Sequence, residues 1–255
     1  MPNSEFMATL FISDLHLTSQ RPAVTELFLR FLKTEAANAE ALYVLGDLFE
    51  YWIGDEAVEF SDVRPITNAL KSLADSGVPI YIMRGNRDVL LGPGFEQACH
   101  CELLDDPTVI DLYGRKILIS HGDYLCTDDV EYQQYRAMVN DRDFQAKFLT
   151  KDLDEREAII RTYREISMAN SSTKSLDIMD VNQDAVKKAM IEHGVCRMIH
   201  GHTHRPNVHH FMIDGKECSR TVLGDWYDQG SVLACDENGC VLKGLPIVTA
   251  SSRSA

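Results

Sequence analysis

Five short clusters of carboxylate, amide and imidazole side chains each stand at the end of an apolar run, and no other feature constrains the chain as much. Asp14-Leu15-His16 follows Thr9 to Ser13, Gly46-Asp47 follows Leu42 to Leu45, and Gly85-Asn86 follows Ile80 to Arg84. His121-Gly122-Asp123 follows Ile117 to Ser120, and Gly201-His202-Thr203-His204 follows Cys196 to His200. Short apolar runs bounded by turn residues read as buried strands, and strand ends in an α/β sheet converge on one edge. Ligand-type side chains scattered along the sequence can therefore meet in one place.

Each cluster is ambiguous alone. Asp14 and His16 lie two apart, so in a regular strand both face one side, as do His202 and His204. An isolated Asp-x-His also suits a surface loop, and Gly-Asp is a common turn dipeptide. Asn86 suits a turn as well, and a lone His121 suits a packed structural histidine. Taken as a set, the carboxylate of Asp47 can bridge two ions, and Gly46 before it lets the backbone approach closely. Mixed Asp, Asn and His donors favour borderline ions such as Mn, Fe or Zn.

The 255 residues, 45 % of them hydrophobic, suffice for one large domain or two small ones. The first half alternates strand and helix. Val24, Leu27, Phe28, Phe31 and Leu32 recur at helical spacing over Pro22 to Ala36, and a second helix is expected over Val63 to Ala74. Thr108 to Leu112 and Lys116 to Ser120 read as a hairpin around Tyr113-Gly114. From Glu131 to His193 the chain is charged, helically periodic and free of proline, which predicts an all-helical insertion. Strands resume at Cys196 to Ile199, Val208 to Ile213, Arg220 to Leu223 and Ser231 to Ala234. The expected division is a core over 7–125 and 194–248 with an insertion over 126–193. Residues 1–6 precede a second methionine, Met7, and are set aside, and the small polar tail from Thr249 is expected to fray.

A net charge of −14 argues against nucleic-acid binding, which needs clustered Lys and Arg to neutralise phosphates. Neither a membrane-length apolar run nor a signal sequence is visible, so the expectation is a cytosolic protein. Seven irregularly spaced cysteines predict no disulfide framework and no paired-cysteine zinc site; they are expected to be reduced.

In this order the clusters resemble the calcineurin-like metallophosphoesterase superfamily, whose pattern runs Asp-x-His, Gly-Asp, Gly-Asn-His, a lone His, then Gly-His-x-His. The resemblance extends through about Leu245 and implies an α/β fold, a β-sandwich flanked by helices, with the helical insertion as a lid. It implies a first ion held by Asp14, His16, Asp47 and His204, and a second by Asp47, Asn86, His121 and His202. Two divalent ions, Mn2+ above all, are the implied cofactors. One departure narrows the resemblance: Arg87 stands where most of the superfamily has histidine. Arginine stays protonated near neutral pH and cannot shuttle a proton, yet it grips phosphate with two donors.

Within the superfamily the chain is most similar to the branch that cleaves the pyrophosphate of UDP-2,3-diacylglucosamine in lipid A biosynthesis. The stretches carrying that similarity are Gly46 to Trp52, Arg84 to Asp88, His121 to Asp129, Ser175 to Gln183, His200 to Pro206 and Leu223 to Tyr227. It implies that Asp47, Asn86, Arg87 and His202 serve catalysis. It also implies that Asn86, Arg87, Asp129, Ser167, Lys174, His202 and one of Asn170 or Ser171 hold the substrate. The spacing of the last pair departs from the branch, so both stay candidates; Ser167 and Lys174 also suit plain solvated helix positions. Acyl chains need apolar cover to leave water, which is the reason for a lid. The implied setting is a monomer, peripheral on the cytoplasmic face of the inner membrane, with Lys147, Lys151, Arg156, Arg161 and Arg164 available to an anionic surface. The competing expectations are another dinuclear phosphodiesterase or nucleotide pyrophosphatase, and an inactive protein-binding scaffold of the same fold.

Overall fold

The computed structural model describes residues 7–173 and 178–247, with backbone alone for 165–173. The amino-terminal half builds a parallel sheet from β1 (Thr9–Ile12), β2 (Ala41–Leu45), β3 (Ile80–Met83) and β4 (Glu102–Leu104). The crossovers are α1 (Pro22–Lys33), α2 (Arg64–Asp75) and α3 (Pro93–Cys99), each with proline in its first turn, where the missing N–H costs nothing. The chain then forms the hairpin β5 (Thr108–Leu112) and β6 (Arg115–Ser120). Helices follow: α4 (Val130–Val139), α5 (Arg142–Leu149), α6 (Leu153–Thr173) and α7 (Gln183–Glu192). The last strands are β7 (Arg197–His200), β8 (Asn207–Ile213), β9 (Lys216–Val222), β10 (Gln229–Asp236) and β11 (Gly239–Pro246).

Two sheets stack, one ordered β11-β10-β1-β2-β3-β4 and the other β5-β6-β7-β9-β8. Between them Phe11, Leu45, Met83, Ile119, Ile199 and Leu233 form the sandwich interior. The opposite face of the first sheet is covered by α1, α2 and α3, where Phe28, Phe31 and Leu70 meet Ile12, Val44 and Ile82. The second sheet is covered by α7, whose Val186 and Met190 pack on Leu118 and Met198. Both faces of β1 are therefore apolar, which is why its sequence is a continuous hydrophobic run. Burying one such side chain contributes roughly 1.5–3 kcal/mol, and together they fix where the strands end.

Several expectations shift. The first helix stops at Lys33, and Ala36 starts a 3-10 turn instead. The short α3, the three-residue β4 and the edge strand β11 have no counterpart in the sequence reading. Nor are all cysteines free: Cys235 and Cys240 face each other across the β10–β11 hairpin and are disulfide-bonded. The spacing of five looked irregular because the hairpin that makes the two residues neighbours was not anticipated.

The basic row of the helical segment also changes character. Arg156 is only 4 % exposed. Its guanidinium donates to the carbonyls of Leu149 and Ile53 and meets Glu56 at 3.1 Å. Arg164 meets Glu50 at 2.8 Å, and Arg161 meets Glu157 at 3.1 Å within α6. Among the described residues, only Lys147 and Lys151 of the five are exposed without an ion pair. Among the described residues no helix is long and apolar enough to cross a membrane.

Candidate metal centre

The ligand-bearing turns follow β1, β2, β3, β6 and β7, at the carboxyl ends of strands from both sheets. Five of the seven candidate side chains sit on positive-φ backbone: Asp14 (56°), His16 (50°), Asp47 (54°), His202 (68°) and His204 (55°). Strand alternation therefore does not align Asp14 with His16, as the sequence reading held; β1 ends at Ile12, and left-handed turns aim both side chains. Such conformations cost about 1–3 kcal/mol each and persist only where the surroundings impose them. Here the turns are stitched to one another. Asp14 N donates to Gly46 O (3.1 Å), His16 N to Asp47 O (3.0 Å), Gly201 N to His121 O (2.9 Å) and His202 N to Asp14 Oδ2 (2.9 Å).

Asp88 is the hub of the second and third turns. Its buried carboxylate accepts from the backbone N–H groups of Leu48 (2.8 Å), Phe49 (3.2 Å), Asp47 (3.3 Å) and Gly85 (2.8 Å). Burial and the neighbouring Asp47 charge push its pKa up to about 6. Gly85 must lack a side chain, because a Cβ there would collide with the backbone nitrogen and carboxylate of Asp47.

The donors converge. Asp14, His16 and His204 offer ligand atoms within 4.8 Å of one another, and so do Asp14, Asp47 and His121. His16 Nε2 and His121 Nε2 lie 3.7 and 3.8 Å from the same Asp47 Oδ2, and Asn86 Oδ1 is 3.0 Å from His121 Nε2. The other nitrogen of each ring faces an acceptor: Glu50 for His16 (3.2 Å), Leu45 O for His121 (3.0 Å) and Asp225 for His204 (3.3 Å). An acceptor behind the ring fixes its orientation and leaves Nε2 for a cation. Tyr227 stacks on His16, and Tyr132 of α4 lies over His202.

Without a cation the centre is electrostatically unfinished. Among the described residues, Asp14 Oδ1 and both ring nitrogens of His16 are buried without a hydrogen-bond partner, the Glu50 contact lacking hydrogen-bond alignment. Burial alone would raise the Asp14 pKa, but His204, His121 and His16 hold it far below the usual carboxylate range. Burial opposes protonation of His121 and His204, yet the carboxylates around them push these rings up to about 9 and about 10. Burial and the His121 charge take His202 down to about 4. Carboxylates, an amide and imidazoles with orphaned buried atoms suit a divalent cation.

A cavity of about 300 Å3 adjoins the centre. Asn86 and Arg87 form one wall, and Val139, Phe148 and Ile160 of α4, α5 and α6 form the apolar roof. Asp129 lines it too, and its carboxylate caps α4 by accepting from Tyr132 N at 3.0 Å. The side chains of Ser167, Asn170, Ser171 and Lys174 lie outside the described residues. Glu50, Asp88, Asp123 and Asp225 join the site without a motif of their own. Asp123 anchors α4, accepting from Tyr132 OH and Arg136 Nε at 2.8 Å each. Their one sequence signal is position, since each lies within a few residues of a ligand cluster or in a stretch that carries the family resemblance.

The chain is similar to proteins of known family over almost its whole length. A protein named UDP-2,3-diacylglucosamine hydrolase from Stenotrophomonas maltophilia is 50 % identical over 246 residues, covering 94 % of this chain and 99 % of its own. One of the same name from Vibrio parahaemolyticus is 50 % identical over 247 residues, covering 95 % of this chain and 100 % of its own. Among solved structures, an archaeal phosphodiesterase aligns over 94 % of this chain and 100 % of its own at a TM-score of 0.47 and 14 % identity, a likeness too weak to bear on function. The profile of the calcineurin-like phosphoesterases matches residues 7–206, so turns of Asp, Asn and His joined by the sandwich strands identify this chain as a member of the calcineurin-like phosphoesterase family.

Proposed function

We propose that the chain hydrolyses the pyrophosphate bond of UDP-2,3-diacylglucosamine, giving UMP and 2,3-diacylglucosamine 1-phosphate. The observation that carries this reading is the apolar cavity opening on Asn86 and Arg87 beside the ligand cluster. A generic phosphodiesterase needs no such roof, whereas two acyl chains leave water only against apolar surface. The names of the relatives support the same substrate.

In this reading Asp14, His16, Asp47 and His204 hold one divalent ion and Asp47, Asn86, His121 and His202 a second, with Mn2+ the preferred metal. Bound ions supply Lewis-acid polarisation of the phosphate and lower the pKa of the attacking water. The residues do the rest. The backbone N of Arg87 donates to Asp47 Oδ1 at 2.8 Å, beside the carboxylate that would serve both ions. Its guanidinium binds phosphate oxygens and stabilises the charge that grows on them. Water attacks the α-phosphorus, the bond to the bridging oxygen breaks, and the β-phosphate departs as an anion that needs little protonation. Arginine in place of a proton donor suits that leaving group. His202, with its pKa drawn down to about 4, stays neutral and can donate an N–H or ligate.

Asp129 and, beyond the described side chains, Ser167, Lys174 and Asn170 or Ser171 hold the glucosamine phosphate. The protein works as a monomer, peripheral on the cytoplasmic face of the inner membrane. Exposed Val130, Met138 and Leu149, with Lys147 and Lys151, supply its contact with the bilayer.

The test is turnover of a UDP-diacylglucosamine by the pure protein with Mn2+, with UMP detected by mass, beside turnover of nitrophenyl phosphodiesters. Release of UMP with little action on the nitrophenyl esters is expected. The opposite ranking would move the chain to the generic phosphodiesterases, and failure to bind any transition ion would revive an inactive scaffold.

A further inference from the structure

Thr203 stands between His202 and His204, yet it lines a second cavity of about 270 Å3 that shares no wall residue with the apolar one. Its other walls include Asp180, Arg205, Asn207, His209 and Arg220. Arg220 on β9 is only 2 % exposed, and no carboxylate among the described residues forms an ion pair with it. Its one hydrogen bond there runs from Nη1 to His200 Nε2 at 3.0 Å, and its buried Nε has no partner. Thr203 Oγ1 is likewise buried without a partner. Asp180, the nearest wall carboxylate by charge, is engaged elsewhere: it meets Arg205 Nη1 at 2.9 Å and accepts from Val181 N at 2.7 Å.

A buried guanidinium without an anion is strongly unfavourable, because its lost hydration is not replaced. His200 cannot compensate for it. The His200 Nδ1 atom faces the Gly201 carbonyl at 2.8 Å and Nε2 faces Arg220 Nη1 at 3.0 Å, so His200 brings no negative charge to the guanidinium. What would complete the site is a negative acceptor in the cavity, facing the Arg220 guanidinium, the Thr203 hydroxyl and the Asn207 amide; the one wall carboxylate, Asp180, is paired with Arg205.

We propose that this cavity binds a phosphate group, as inorganic phosphate or as a phosphate monoester, with Arg220 as its charge partner and Thr203 Oγ1 as a donor. The site is distinct from the pocket that takes the substrate in the reading above and does not depend on that reading. Through Arg220 and His200 an occupant braces Gly201, and through Thr203 it braces the turn that carries His202 and His204. The expected consequence is a stiffer ligand turn at high phosphate.

The experiment is thermal unfolding of the full, metal-loaded chain in phosphate-free buffer, titrated separately with phosphate and with UMP. It is run on the wild type, Arg220→Met and Thr203→Val, beside crystals soaked in selenate as a heavy stand-in. Part of any phosphate response comes from the metal centre, and Arg220→Met retains that part. Expected are selenate density against Arg220 and Thr203, and a wild-type Tm rise of about 3–6 °C at ten times the midpoint concentration. Arg220→Met should lose this component, and Thr203→Val should need several-fold more phosphate. A lower midpoint for UMP than for phosphate identifies the nucleotide as occupant, and equal midpoints identify the phosphate group alone; either supports the site. Matching titrations in the wild type and Thr203→Val, with selenate confined to the metal centre, would overturn it even if Arg220→Met failed to fold.

Discussion

At the rim of the metal centre, five ligand-type residues take left-handed backbone conformations and are held there by main-chain bonds between turns, such as Asp14 N to Gly46 O. Over the apolar cavity the means are different. Helices α4, α5 and α6 hang on charged clamps: Arg136 on Asp123, Arg156 on Glu56 and the Ile53 carbonyl, Arg164 on Glu50. Their apolar side chains line a void rather than fill it. The contrast separates two demands. Chemistry needs donors fixed to within fractions of an ångström, which backbone stitching provides. Room for a large apolar ligand needs an interior left open, and helices held by polar clamps at their edges leave that interior unfilled.

If the rim is the rigid half, its disruption should be the costlier. Asp47→Ala removes the carboxylate approached by both His16 and His121, and is expected to lower turnover by at least about 1000-fold, the scale on which direct charge stabilisation is lost. Turnover above a tenth of wild type with Mn2+ present would remove Asp47 as a shared ligand. Gly85→Ala adds no charge and removes none, but its Cβ drives into Asp47. A displacement of about 1 Å should cost on the order of 100-fold in kcat. Bound metal, measured by elemental analysis, should fall with it; full metal content and normal rate would show that the rim tolerates movement after all.

The clamp prediction concerns the other half. Arg156→Met keeps the apolar stem and deletes the hydrogen bonds to the carbonyls of Ile53, Leu149 and Lys151, leaving the buried one at Ile53 unpaired. Because Glu56 is 56 % exposed, its own loss counts little, and the expected local destabilisation is about 2–3 kcal/mol. Hydrogen exchange should quicken by roughly 30- to 150-fold in α5 and α6 while β1, β2 and β3 are unchanged, since about 1.4 kcal/mol is a factor of ten. Equal quickening throughout would mean that cover and core unfold as one unit.

The same contrast governed what could be read in the sequence. β1, β2, β3, β6 and β7 were visible because layers on both faces make them continuous apolar runs ended by turn residues. β4 is three residues, Glu102, Leu103 and Leu104, too short for any period to register. β11 carries exposed Val241 and charged Lys243 at the sheet edge, so it lacks the apolar signature. That the five clusters meet at one place was legible, but alternation along a strand does not align Asp14 with His16, since it cannot reveal a positive φ. Glu50, Asp88 and Asp225 are three among 39 acidic residues, and only their distance from His16, the Asp47 backbone and His204 sets them apart. Arg156 sits in a charged stretch that reads as solvated; its burial is decided by the Ile53 carbonyl and the Glu56 carboxylate, about a hundred residues away in sequence, as much as by its neighbours.

The smallest expected effect is a difference in slope. In the ion-free chain, burial works against protonation of His121 and His204, but the Asp47 and Asp14 charges raise His121 to about 9, and the Asp14 and Asp225 carboxylates, each 3.3 Å from a ring nitrogen, raise His204 to about 10. A histidine whose folded pKa exceeds its unfolded value of about 6.5 adds stability that is complete below 6.5 and lost as pH rises through the folded pKa. Ion-free Tm should therefore decline between pH 6.5 and 10. His200 and His202 shift the other way, to about 3 and about 4, so their contribution varies only below 6.5 and leaves this window clear. In the loaded protein the rings must be neutral to ligate, so each gives up its proton to the solvent when a cation binds. Protons then compete with the metal, and at fixed Mn2+ the gain in Tm over the ion-free chain should widen as pH rises from 6.5 to 9. Thermal scans with chelator and with Mn2+ measure that gain directly. A constant difference across the window would mean that no ring proton leaves on binding, and would take His121 and His204 out of the ligand set.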